Sequence, residues 1–226
     1  MLNKEDKDII KNKLDFWENI SQEEQELILE NSSKIKYNKD ASIYNALNNC
    51  RGIMIIKNGL LRTYIKSQEG KEVTLYFLEK GDICALSASC VLNNITFDVD
   101  VDAEKDSEII LIHLNKIGNL YKNIYVENFL LNEAIIRFSD VMWAMEQILF
   151  LKFDERLAIF LLDESSRNKG DTINLTHEEI AKHLGSAREV VSRMLKYFSK
   201  EKLVKLSRGQ VHIIDKTSLR NLIRSF

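Results

Sequence analysis

The run from Thr176 to Leu195, THEEIAKHLGSAREVVSRML, leaves few folds open. Thr176 with Glu179, and Ser186 with Glu189, have the spacing of capping boxes, so the run predicts two helix starts. Between them Gly185 stands where the first helix must end in a left-handed turn. Ala181 is small enough to let the two helices cross closely, and Val191 closes the space from the second helix. A small residue, a glycine and a branched apolar residue at these offsets meet the mechanical requirement of a tight helix-turn-helix.

The second helix divides cleanly at 100° per residue. Val190, Val191, Met194, Leu195, Tyr197 and Phe198 fall on one side, and Arg188, Glu189, Ser192, Arg193 and Lys196 on the other. Arginines can pair with guanine edges, a glutamate can accept from cytosine N4, and a serine can reach bases or phosphate. Arg188, Glu189, Ser192 and Arg193 are therefore the candidate base readers, with Thr176, Ser186 and Lys196 as candidate backbone contacts. A solvated amphipathic helix would share the charge pattern, but it would not need the turn chemistry in front. Downstream, Leu203–Leu206 and Val211–Ile214 flank Ser207-Arg208-Gly209-Gln210, a hairpin whose Lys205 and Arg208 could touch phosphates. The charge agrees. From Asp171 onward there are eleven Lys and Arg against six Asp and Glu, in a chain of formal net charge −2. A basic C-terminal quarter on an acidic protein suggests a polyanion partner for that quarter.

Upstream the periodicity changes twice. After a charged helical lead-in over Lys4–Glu30, residues 35–115 read as short strands punctuated by Gly and Asn: Ile53–Ile56, then Lys57-Asn58-Gly59, then Leu61, Thr63 and Ile65 alternating with polar neighbours. Val73, Leu75 and Phe77 alternate likewise before Gly81-Asp82, and further strands are expected at Phe97–Val101 and Glu108–His113. Such a series predicts an antiparallel sandwich or barrel. A long helix follows, over about Ile117–Phe150. Leu131, Ile135, Phe138, Met142, Met145 and Leu149 are spaced 4, 3, 4, 3, 4 along it, the seam of a helix that pairs with a copy of itself. A second stripe, Leu130, Ala134, Val141 and Ile148, could face the strand domain. A second helical segment from Asp154 breaks at Asn168-Lys169-Gly170.

No apolar run approaches a membrane-spanning length, and Met1–Lys13 lacks the apolar centre of a signal peptide, so a cytoplasmic location is expected. Three cysteines (Cys50, Cys84, Cys90) form no disulfide framework. No Ser/His/Asp, Cys/His or paired-carboxylate arrangement has a supporting motif, so an enzyme is not expected. The histidines form no ligand-spaced cluster, and no metal or other cofactor is required.

The order of parts, with Leu175–Leu206 carrying Arg188-Glu189 and Ser192-Arg193, resembles the Crp/Fnr family of bacterial regulators. In the strand region Gly52, Gly59, Arg62, Glu72, Leu75 and Gly81-Asp82 fit that family's β-roll. The resemblance implies an α+β protein: an N-terminal antiparallel β-roll sensor of the cyclic-nucleotide-binding type (1–116), a dimerisation helix (117–151) and a C-terminal winged helix-turn-helix (152–226). It implies a homodimer on a two-fold-related double-stranded DNA site with TGA-containing half-sites, and RNA polymerase is an expected partner. The alternative is a small-molecule or redox sensor whose C-terminal unit contacts protein.

Two departures bear on the signal. Where cyclic-nucleotide binders carry Gly-Glu for the ribose this chain has Ala85-Leu86, and Ile95-Thr96-Phe97 stands where they carry a phosphate-binding arginine. The oxygen-sensing members' N-terminal cysteine cluster is missing too, since the first cysteine is Cys50. Cyclic AMP and an iron–sulfur centre are thus poor candidates. The expected pocket involves Arg62, Leu75, Cys84, Ala85, Leu86, Ser87 and Cys90, small and apolar enough to suggest a neutral, apolar or thiol-reactive effector, or none. Cys84 with Cys90 could be a redox pair or metal ligands, against buried small hydrophobes. His113 could ligate haem, against an ordinary packed histidine.

Overall fold

The computed structural model describes residues 2–44, 52–84 and 99–223, which form two compact units. The first comprises residues up to Ile65 and Leu75–Val141; the second comprises Lys66–Thr74 and Met142–Phe226. Among the described residues no helix is long and apolar enough to cross a membrane.

The first unit begins with two helices where the sequence suggested one charged lead-in. α1 (Lys4–Lys13) ends at an extended Leu14, and α2 (Gln22–Glu30) restarts at a Ser21–Glu24 capping box. Among the described residues eight strands follow: β1 (Ser32–Tyr37), β2 (Ser42–Tyr44), β3 (Ile53–Asn58), β4 (Leu60–Lys66), β5 (Glu72–Glu79), β6 (Ile83–Cys84), β7 (Asp100–Ala103) and β8 (Ser107–Ile112). They make two four-stranded sheets, ordered β1-β8-β3-β6 and β2-β7-β4-β5, with antiparallel pairing at every described register. Interleaving of strands distant in sequence is what the β-roll expectation requires. The β3–β4 turn depends on Gly59 (φ +101°), because a Cβ there would run into Ser107. The Ser107 hydroxyl is committed, receiving the Leu60 N–H at 3.2 Å and donating to the Lys105 carbonyl at 2.6 Å.

Ile10, Leu14, Trp17 and Ile28 from the N-terminal segment pack with Ile53, Ile55, Ile110 and Ile112 of the sheet in one apolar core. Asp6 is fully buried beside it. Burial alone would raise its pKa, but hydrogen bonds from Lys57 (2.6 Å), the Asn3 N–H (2.9 Å) and Lys34 outweigh that and hold it below the usual value. Those bonds pin α1 to β1 and β3.

The long helix α3 runs Ile124–Phe150, seven residues shorter at its start than expected. Before it the chain makes two tight turns, Leu114–Lys116 and Gly118–Lys122, with Gly118 at φ +59°. An extended Asn123, whose carboxamide oxygen accepts the Tyr125 N–H at 3.1 Å, then fixes where the helix begins. One face of α3 carries the buried Val126, Phe129, Leu130 and Arg137.

In the second unit α4 (Phe153–Arg167) stops where Lys169 takes a left-handed conformation at φ +51°. β9 (Thr172–Ile173), α5 (His177–Leu184), α6 (Arg188–Lys200), β10 (Val204–Ser207), β11 (Gln210–Ile213) and α7 (Lys216–Leu222) complete it. The strands form a sheet ordered β10-β11-β9, so the expected two-stranded wing gains a third strand. Leu157, Leu161, Ile180, Val191, Leu195, Phe198 and Val211 share the core of this unit.

Candidate nucleic-acid interface

The turn between α5 and α6 follows the sequence expectation on one side and departs from it on the other. Thr176 accepts the Glu179 N–H at 3.2 Å, while Glu179 accepts the Thr176 N–H at 2.7 Å, a complete capping box. Gly185 closes α5 at φ +59°, ψ +43°, and its N–H and that of Ser186 both return to the Ala181 carbonyl. Arg156 of α4 donates to the Leu184 carbonyl at 2.5 Å, satisfying a C-terminal acceptor that the helix itself cannot.

The second capping box does not form. α6 begins one residue later than expected, with Ala187 at the cap, because Ser186 is spent on closing the turn. Ala187 has no oxygen to offer the first-turn N–H groups, and such a helix start is a ready anion site. Ser186 is left half-exposed at this end.

Within α6 the division into faces holds. Val191, Leu195 and Phe198 are fully buried, whereas Arg188, Glu189, Arg193 and Lys196 are exposed and Ser192 is half-exposed. Tyr197 is the exception, half in water (50%) although the sequence assigned it to the apolar side. Five polar side chains thus share one solvent-facing strip on a helix locked from behind. Arg188 and Lys196 also act on His177 at the start of α5, which is held below its ordinary pKa by burial first and then by these two charges. The wing turn is two residues, Arg208-Gly209, with Gly209 at φ +70° and Lys205, Arg208 and Thr176 all exposed. Gln210 anchors it by donating to the Asn174 side chain at 2.8 Å.

This arrangement has known counterparts. Residues 155–222 match the model of the Crp-like helix-turn-helix domain, and residues 34–123 that of the cyclic nucleotide-binding domain. A solved chain described as a transcriptional regulator of the Crp/Fnr family from Eubacterium rectale is 43% identical, with a TM-score of 0.90, covering 95% of this chain and 100% of its own. The chain belongs to the Crp/Fnr family. It is a transcription regulator with a helix-turn-helix DNA-binding domain. More distant relatives include the transcriptional regulatory protein btr of Bordetella pertussis, 24% identical over 84% of this chain and 81% of its own. The fumarate and nitrate reduction regulatory protein of Yersinia pestis is 23% identical over 81% and 76%.

The residues expected to form an effector pocket do not come together as one described set. Ala85, Leu86, Ser87 and Cys90, like Cys50 and the Ile95–Phe97 stretch, lie outside the described residues. Leu75 and Cys84 are buried. Arg62 is buried too, 1% exposed, with its guanidinium 4.3 Å over the Tyr64 ring. It stands opposite Asp102, which accepts from Tyr64 at 2.8 Å. Adjacent strand residues alternate, so Arg62 and Thr63 point to opposite faces of β4. His113 has its Nε2 3.0 Å from the Ser33 hydroxyl, and burial first, then Lys116, lowers its pKa. Among the described residues no cluster suited to a metal ion occurs.

Sequence reasoning missed one buried cation. Arg137 lies on the buried face of α3, seven residues after Leu130 and seven before Ala144, and is only 9% exposed. That heptad spacing was the available signal.

Proposed function

We propose that this Crp/Fnr regulator acts as a homodimer that reads a two-fold-related DNA site through α6. Arg188, Glu189, Ser192 and Arg193 contact base edges; Thr176, Ser186, Lys196, Lys205 and Arg208 contact phosphates. The observation that carries this reading is the polar strip on α6, held out to solvent beside a helix start that lacks a side-chain cap. A module docking another protein through the same helix would expose an apolar centre, since charge is depleted in the cores of such interfaces.

The partner protomer is expected along α3. Leu131, Ile135, Phe138, Met142, Met145 and Leu149 all lie at 44–65% exposure, although a monomer has no reason to leave a helix seam wet. The dimer sets two copies of α6 at successive major grooves of a DNA site. The β-roll (1–116) is the sensor, α3 its link to the DNA-binding domain (152–226), and the signal is something other than cyclic AMP. Transcriptional output then requires contact with RNA polymerase.

The experiment is fluorescence anisotropy of a labelled duplex over a salt series. Log affinity should fall linearly with log salt, with a slope of roughly −0.9 per phosphate neutralised. A shallow slope with unchanged affinity would favour a protein partner for α6.

A further inference from the structure

Arg137 is a cation where the sequence pattern calls for an apolar residue. Positions 130, 137 and 144 form one buried stripe of α3, filled by Leu130, Arg137 and Ala144. Its Nη1 donates to Asp140 at 2.8 Å, but Asp140 is itself more than a third exposed and engages only that corner of the guanidinium. Nε is buried and has no hydrogen-bond partner among the described residues. The guanidinium carbon lies 5.3 Å from the centre of the Tyr76 ring, on β5.

Two more orphans accompany it. Among the described residues the Tyr76 hydroxyl is buried without a hydrogen-bond partner, as is the Thr63 hydroxyl on the neighbouring strand β4. The two are close enough for Thr63 to favour the ionised phenol, yet burial and Cys84 hold Tyr76 protonated well above its ordinary range. Buried polar atoms are nearly always paired, so three orphans in one place need an explanation.

Counting donors indicates what is missing. Nε can only donate, and the phenol is protonated. Each hydroxyl can donate once as well, so all three unpaired atoms can be met by acceptors alone. What completes the set is an acceptor-only group, and a carboxylate suits it. The guanidinium edge that contains Nε offers the parallel pair of N–H bonds that a carboxylate takes side-on. Cys84, which acts on the Tyr76 phenol, and Leu130, one heptad before Arg137 on α3, are apolar and buried, which suits the hydrocarbon body of a small acid.

We propose that Thr63, Tyr76 and Arg137 recognise the carboxylate of a small organic acid, the effector of this regulator. This rests on the reading of the β-roll as a sensor and replaces the neutral or apolar ligand suggested by the strand sequence. Arg137 belongs to the same helix as the seam, so a ligand that engages it acts on α3 directly.

The test uses the full chain and thermal unfolding with benzoate, butyrate and succinate, against benzyl alcohol and butanol as neutral analogues. At least one carboxylate should raise the unfolding midpoint while its alcohol does not. Arg137→Gln should abolish the shift and Tyr76→Phe reduce it. If no carboxylate gives an Arg137-dependent shift, the proposal is overturned. A ligand-free readout covers variants that fold poorly. Thr63→Val with Tyr76→Phe removes two orphaned hydroxyls, so the midpoint without ligand should rise; a fall would make the hydroxyls structural and overturn the site. DNA binding measured alongside separates the two readings. Salt-sensitive DNA binding without any carboxylate response sinks only the ligand, whereas a carboxylate response without DNA binding sinks the regulator reading.

Discussion

Replacing Met142 and Met145 together by glutamate probes the dimer, because both stand in the middle of the exposed seam of α3. Complete burial of a Leu, Ile, Phe or Met side chain is favourable by about 1.5–3 kcal/mol. The six seam side chains are each 44–65% exposed, so covering what remains is worth about 1 kcal/mol apiece. Six on each of two helices give on the order of 12 kcal/mol, against an association cost of about 4–15 kcal/mol. The surplus is small, so a few side chains decide it. Removing both methionines from both copies costs about 4 kcal/mol, or roughly a thousandfold in the dimer dissociation constant. The four carboxylates brought into one interface add desolvation and repulsion to that. Sedimentation equilibrium should therefore show a monomer at micromolar concentration, and anisotropy should show loss of tight binding to a two-fold site. A double variant that remains dimeric with normal DNA affinity would refute the argument and put the interface on another face.

Three further outcomes are expected. Arg193→Ala should cost about 1–3 kcal/mol on the best site and flatten discrimination at one base pair, whereas Lys205→Ala or Arg208→Ala should weaken all sequences alike, each checked on a panel of duplexes. Gly185→Ala should destabilise the second unit by about 1–2 kcal/mol in urea unfolding, because a side chain is forced into the left-handed region; an unchanged midpoint would mean the turn relaxes freely. His113 has its folded pKa depressed, so the unfolded chain binds more protons, and its contribution to stability is full above the unfolded value of about 6.5 and lost as pH falls below it. Melting between pH 7.5 and 5.5 should therefore drop less in His113→Gln than in the parent, and parallel curves would argue against the assignment.

What was legible in the chain was whatever rests on short-range spacing. The α5–α6 turn is a local mechanism, so Thr176, Ala181, Gly185 and Val191 announce it without help from the rest of the fold. The apolar period along α3 is equally simple, and Leu131, Ile135, Phe138, Met142, Met145 and Leu149 are all exposed on that helix. Competition between neighbouring residues was less legible. Ser186 could cap α6 or close the turn after Leu184, and only the backbone path shows that it closes the turn. The start of α3 was misplaced because nothing in the apolar period of Ile117 and Leu120 distinguishes two tight turns from helix. Tyr197 was assigned by angle alone, yet its ring sits half in water. Arg137 escaped notice for a different reason. The apolar stripe Leu130, Ala134, Val141 passes beside it, and a buried arginine in the adjoining row becomes informative only through its Nε, unpartnered among the described residues.

The central claim is that α6 reads sequence within a symmetric dimer. Selection from a pool of randomised duplexes by the intact protein tests it most directly. The account predicts enrichment of an inverted repeat with half-site centres one helical turn, about 10–10.5 base pairs, apart. It also predicts that Arg193→Ala erases the preference at the same position in both halves. A pool that stays random, or an enriched motif without two-fold symmetry, would contradict it.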